Sequence, residues 1–313
     1  MKTTLTLTSS LASLAIATAY ASAQPMLSKE PVSISATSSQ SATLKLENGS
    51  HITLVGGGLA SRMVKFGQFE TELQLRYPEL NLVIRNIADE GNTPAFRPHP
   101  GRDYDGQYAF KGASELVRED LKEKSKSGGF FETPDQWLTK LKTDVVIASF
   151  GYASSFDGPS ELERYKKELD AFLKHTKAQQ YNGQSAPQIA LVSPIAFEDL
   201  SSEFDVPNGE QENKNLALYT EAMREVAAAN KVLFVDAFDA SKKWYGAEKE
   251  NLTQDGFQLT DNGYKALAPF LADHIFGKAP VKAESKREAT LAAVNEKNWV
   301  WQNYYKIPNG EHV

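Results

Sequence analysis

Five short apolar runs, separated by segments of helical periodicity, constrain the fold of this chain more than any other feature. Residues 52–55 form the first, and Leu80 to Ile84, Asp144 to Ser149, Gln188 to Val192 and Lys231 to Val235 follow. They are β-branched and nearly continuous, as strands read when both faces of a parallel sheet are covered. Ahead of the first run Leu44 and Leu46 alternate with polar residues, and Asn48-Gly49 stands between the two stretches. Asn-Gly flanked by alternating segments predicts a type I′ hairpin over 42–55.

The intervening segments repeat at helical spacing. One carries Met63, Phe66 and Leu73, another Leu162, Tyr165, Leu169, Phe172 and Thr176, a third Leu216, Tyr219, Met223 and Val226, and a fourth Tyr264, Leu267 and Leu271. Thr133-Pro134-Asp135-Gln136 reads as a capping box with proline at the first helical position, opening a helix ahead of the Asp144 run. The βαβα order predicts an α/β domain with a five-stranded parallel sheet flanked by helices. Ligands of such sheets sit at the carboxyl ends of the strands, so the residues just after each strand carry the functional information.

Composition narrows the classes. With 41% hydrophobic residues the 313-residue chain can bury a full core. Zero cysteine excludes disulfides and thiol chemistry within this segment, and 34 basic against 40 acidic side chains, with no basic stripe, argues against a nucleic-acid partner. Lys2, the apolar run Leu11 to Tyr20 and Ala21-Ser22-Ala23 have the pattern of a cleaved signal peptide over 1–23, which predicts export to the periplasm or beyond. A Ser/Thr-rich linker (24–41) precedes the main domain (42–277). Past it, 278–313 reads as a linker and a helix from Ala289 to Trp301, with Tyr304 and Tyr305 beyond. Its aromatics predict packing back on the domain or, alternatively, a docking or sugar-binding platform. No apolar run is long enough to span a membrane. The final residues supply no closing element, so a longer polypeptide with further domains is expected.

After the first strand comes Gly56-Gly57-Gly58-Leu59-Ala60-Ser61. A glycine turn between strand and helix aims backbone N–H groups at an anion or oxyanion. As a dinucleotide turn it lacks the acidic residue expected at the end of the next strand, where Arg85 and Asn86 stand, so a dinucleotide-binding protein is a remote alternative and no cofactor is expected. Asn86-Ile87-Ala88-Asp89-Glu90-Gly91 follows the second strand, Gly151-Tyr152-Ala153 the third, and Asp255-Gly256-Phe257-Gln258 precedes the last helix.

Together these four segments resemble the sequence blocks of the SGNH, or GDSL-type, ester hydrolases. The resemblance runs from about Asn48 to Phe276 and implies a three-layer α/β/α flavodoxin-like fold. Segments such as Tyr181-Asn182-Gly183 and Ser193-Pro194-Ile195-Ala196 are similar to an exported branch found in planctomycete-like and verrucomicrobium-like bacteria. The family's first block is Gly-Asp-Ser-Leu, with the nucleophile where this chain has Gly58. Its second supplies an oxyanion glycine, matching Gly91. Its third contributes an asparagine where Ala153 stands, and its fourth, Asp-x-x-His, keeps the acid as Asp255 but has Gln258 in place of the base. The implied binding positions are therefore Gly57, Gly58, Gly91 and Ala153.

Ester hydrolysis by such a site needs a hydroxyl, a base and oxyanion donors. Glycine has no nucleophile, and neither glutamine nor alanine replaces what the chemistry asks of its position. The resemblance therefore implies a degenerate site acting as a binding or structural module, with a glycan or other small molecule as ligand. The alternative is a divergent ester hydrolase acting on carbohydrate or lipid esters, with Ser61, Ser149, Ser154 or Ser155 as substitutes, and Asp255 is expected to be an unpartnered carboxylate. His51, His99, His175 and His274 read as surface or satisfied residues, and no grouping, Asp89, Glu90 and Asp255 included, has the spacing of a metal site. The charged run Ala113 to Ser127 predicts a solvated helix.

Overall fold

The computed structural model describes residues 43–98, 106–122, 132–247 and 250–306. The proposed signal peptide and linker, His99 and residues 123–127 of the charged run lie outside them. Five strands, β1 (His51–Gly56), β2 (Val83–Asn86), β3 (Val145–Ser149), β4 (Gln188–Val192) and β5 (Leu233–Val235), form one all-parallel sheet in the order β2-β1-β3-β4-β5. The five-stranded parallel sheet expected from the apolar runs is borne out. This is the flavodoxin-like order, with its switch point between β1 and β3. In register, Leu54 pairs with Asn86 on one side and with Ile147 on the other, while Gly56 lies beside Ser149.

The helices are α1 (Gly58–Phe66), α2 (Gln68–Arg76), α3 (Pro134–Lys140), α4 (Tyr152–Ser155), α5 (Leu162–Lys177), α6 (Glu210–Asn230), α7 (Ala237–Trp244), α8 (Asp261–Phe276) and α9 (Arg287–Lys306). Alternate strand residues feed two cores. Ile52, Leu54, Ile84, Ile147 and Val192 pack beneath Met63, Leu73, Leu267 and Leu271 of α1, α2 and α8. Val55, Val146, Ala148, Ile189 and Leu191 meet Leu138, Tyr165, Leu169, Tyr219 and Met223 of α3, α5 and α6 on the other face. Helices on both faces complete the α/β/α layering.

Three local expectations differ from what forms. The Asn48-Gly49 turn closes, with Ser50 N donating to Glu47 O at 3.1 Å and Gly49 at φ 79°, but no hairpin follows. Residues 43–47 instead lie along the far end of α8, Leu44 N donating to Ile275 O, and across to Gln188, which bonds both backbone groups of Lys45. The segment carrying Met63, Phe66 and Leu73 is two helices, broken by Gly67 at φ 66°. There α9 lies so close that a Cβ would meet the side chains of Asn295 and Val294. The described part of the charged run is two 3-10 turns, Ala113–Glu115 and Glu119–Leu121. Ala113 and Val117 are buried and Arg118 bonds Asp157, so tertiary contacts outweigh local helix propensity. The capping box forms, Thr133 and Gln136 each accepting the other's backbone N–H.

The C-terminal aromatics pack back. Trp301 and Tyr305 are buried and donate to the carbonyls of Asn86 and Ile87, at 2.7 and 3.1 Å, where β2 ends. Trp299 and Tyr304 stay exposed. No described helix is long and apolar enough to cross a membrane.

Candidate functional site

The segments that follow β1, β2 and β3 and the one that precedes α8 meet at the carboxyl edge of the sheet, around a cleft of about 280 Å³. Gly57, Gly58, Gly91, Ala153, Phe257 and Gln258 all line it. A Cβ at Gly56 would overlap the Ser149 carbonyl of the neighbouring strand, and φ there is 117°, so only glycine ends β1 this way. Gly57 N donates to Ser149 O at 2.8 Å, and the chain then enters α1. No side chain caps that helix, and its first turn holds no acidic residue. Gly58 faces open space: a Cβ there would have Phe257 Cζ as its nearest neighbour, at 3.9 Å.

Gly91 reaches the cleft because the loop after β2 is tied down. Asn86 Nδ2 donates to Ala60 O, Ala88 N donates to Asn86 Oδ1, and Asp89 N donates to Gly56 O. Ala153 is presented by α4, whose preceding Gly151 sits at φ 104° against Met223 and Pro194.

The last segment folds on itself. Thr253 and Leu259 form an antiparallel bridge, and Gln254 N donates to Gln258 O. The Asp255 carboxylate is not unpartnered, as the sequence suggested: Oδ1 accepts from the backbone N–H of Phe257 at 3.1 Å and of Gln258 at 2.7 Å. An aspartate in a tight turn finds its own chain first. Gln258 Oε1 accepts from Gln254 Nε2 at 3.0 Å. Beneath this turn the buried Glu198 accepts from Leu252 N, Thr253 N and Thr253 Oγ1, an anchor with no spacing signal along the chain.

Sequence reasoning also missed Arg62, Asn92, Tyr152, Phe156 and Phe257 as lining residues. Tyr152 stacks on Phe257 with centroids 3.5 Å apart and planes 4° from parallel, and Phe156 stands edge-on to Tyr152 at 5.2 Å. Burial, reinforced by the negative charges of Asp255 and Glu212, pushes the Tyr152 hydroxyl well above its ordinary range, so it stays a neutral donor. The aromatic run Tyr152, Phe156 beside the third segment was the available signal.

The substitute nucleophiles are placed poorly for chemistry. Ser61, Ser154 and Ser155 are buried, and Ser155 Oγ donates to Tyr152 O. Ser149 borders the cleft, but among the described residues no histidine lines it. His51, His175 and His274 are engaged with Leu141 O, Asp135 and Phe270 O respectively. Among the described residues no cluster of three acidic or histidine side chains could hold a metal. The cleft can donate backbone N–H groups and offer aromatic faces. Among the described residues its lining holds no hydroxyl–imidazole pair.

No family model matches the chain, and no curated protein matches it. Solved structures do. A structure from Parabacteroides merdae described as a GDSL-like lipase aligns with TM-score 0.50 and 17% identity, over 75% of this chain and 99% of that one. A variant of an acetyl xylan esterase from Geobacillus stearothermophilus aligns with TM-score 0.50 and 17% identity, over 76% of this chain and 99% of its own. At that identity the likeness is one of fold. The chain has the fold of the GDSL-like, SGNH hydrolases.

Proposed function

We propose that this chain is an exported SGNH-fold domain whose cleft binds a ligand, glycan-related in character, without hydrolysing it. One observation carries the reading: the segments converge at the sheet's carboxyl edge, yet the side chains facing the cleft there are Gly58, Ala153 and Gln258. The supports of the cleft, from Asn86 to Glu198, are backbone clamps that would serve a binding site equally well. The exposed Phe156 ring beside the half-buried Tyr152–Phe257 stack suits the apolar face of a sugar ring. Export follows from the pattern of residues 1–23.

The test is hydrolysis of p-nitrophenyl acetate and acetylated oligosaccharides. The natural chain is expected to show no turnover above background. The triple variant Gly58→Ser, Ala153→Asn, Gln258→His is expected to gain a burst and a covalent acetyl adduct on the introduced serine, since the space at Gly58 admits a side chain. Each single change should do almost nothing, because such groups act as a unit. Robust turnover by the natural chain, abolished by Ser149→Ala or Ser154→Ala, would overturn the reading in favour of a divergent esterase.

A further inference from the structure

We propose that the ligand is an acidic sugar whose singly charged oxyanion lies between the Arg62 guanidinium and the amino end of α1. This deepens the binding reading and rests on it. Arg62 lines the cleft, is only 9% exposed, and its buried Nε has no hydrogen-bond acceptor. Among the described residues no carboxylate lies within 4.0 Å of it. Arg76, buried to a similar degree, is held by both Glu72 and Asp273. Arg62 instead has the Phe66 ring 5.9 Å from its central carbon, and it touches the Tyr264 hydroxyl. Neither neighbour neutralises a cation, and Glu90, which acts on the same Tyr264 hydroxyl, makes no contact ion pair with it, so the buried guanidinium lacks a close counter-charge, which is costly.

The second feature lies one turn away on the same helix. α1 starts at Gly58 without a side-chain cap or an acidic first turn, and Gly57, Gly58 and Leu59 border the same cavity as Arg62. A helix start carries about half a positive charge on its unbonded N–H groups. A guanidinium and a helix terminus together therefore present about one and a half positive charges. Glu90, an exposed carboxylate that also borders the cleft and acts on the same Tyr264 hydroxyl as Arg62, offsets part of that charge and argues against a doubly charged ligand. That balance selects a carboxylate or a sulfate monoester over a doubly charged phosphate. The cavity of about 280 Å³ admits one ring at a time, and Tyr152, Phe156 and Phe257 supply the apolar wall against which that ring would lie.

Titration calorimetry on the full chain tests this with matched probes: trigalacturonate against its methyl ester, and a 6-sulfated galactose trisaccharide against its unsulfated parent. One acid is expected to bind at least about tenfold more tightly than its neutral partner, an advantage that shrinks with added salt. Arg62→Met should erase the difference. Glu90→Gln, at an exposed position that leaves folding intact, should enlarge it. The acid that shows the Arg62-dependent preference names the source of the anion. Equal binding of acid and neutral partner overturns the assignment while leaving the binding reading standing, and so does a preference untouched by both substitutions. Binding of none of the four probes overturns it as well. Turnover of acetyl esters by the natural chain would end the binding reading instead, and acid-selective inhibition of that turnover would still report on Arg62.

Discussion

Trp301 is the side chain through which α9 holds the loop that delivers Gly91. Its Nε1 donates to Asn86 O at 2.7 Å, its ring meets Trp137 edge-on at 5.7 Å and lies near parallel to Tyr305, and the Arg85 guanidinium sits 5.6 Å from its centroid. Trp301→Ala removes all of this at once. A buried tryptophan hides about 200 Å² of surface, worth about 5 kcal/mol at ~25 cal/mol per Å². The unfolded chain conceals part of that area, so we expect a loss of about 4 kcal/mol, within the ~3–5 kcal/mol range of such truncations. Trp301→Phe keeps most of the ring but takes the donor from the Asn86 carbonyl, and should cost about 1–3 kcal/mol. Urea unfolding followed by far-UV circular dichroism gives both numbers, with the midpoint moving and the slope unchanged. A loss under about 1 kcal/mol for the alanine variant, against the ~3–5 kcal/mol of a packed tryptophan, would mean that α9 does not clamp β2. A separate early transition in the natural chain, with the rest of the domain still folded, would mean the same.

Two further outcomes follow from the geometry. Glu168 is 1% exposed; burial, only partly offset by Arg164, pushes its carboxyl up to about 7. The folded state therefore holds a proton that the unfolded chain releases near its ordinary value of 4.5, so stability falls as pH rises from that value to about 7. Relative to Glu168→Gln, the natural chain should lose about 3 kcal/mol between pH 4 and pH 8 in parallel urea titrations; a relative gain over that window would reverse the sign. At the strand-to-helix turn, Gly56→Ala should unfold the domain or cost several times more than Gly58→Ala, because a Cβ at Gly56 overlaps the Ser149 carbonyl whereas one at Gly58 meets open space. Gly58→Ala should be neutral or stabilising by up to about 1 kcal/mol, and thermal melts of the two variants that coincide would contradict the turn geometry.

The parallel strands were legible because covering both faces leaves a continuous apolar signature, as in Val145 to Ser149, and that signature is local. The expected hairpin does not form because Asn48-Gly49 determines a turn and nothing more; the partners of 43–47 are Ile275 and Gln188, remote in sequence. The same division runs through the site. Positions just past each strand could be read off the chain, while Glu198, whose carboxylate organises the Thr253 turn from more than fifty residues away, could not. Asp255 shows why a residue type alone misleads, since its carboxylate serves its own loop before any partner across the cleft.

The glycines and the arginine of the cleft carry different kinds of information. Gly56, Gly91, Gly151 and Gly256 all have positive φ and sit against Ser149, Pro98, Pro194 and Phe197, so the turns require them whatever the cleft does. Their presence is evidence for the fold and silent about activity. Arg62 is the reverse case. It meets Phe66 and Tyr264, yet its buried Nε has no acceptor and no described carboxylate pairs with it in contact, an arrangement a smaller apolar residue would fill at less cost. The fold explains those four glycines and leaves the Arg62 Nε without an acceptor, so the proposed anion site is better tested at Arg62 than at the glycines.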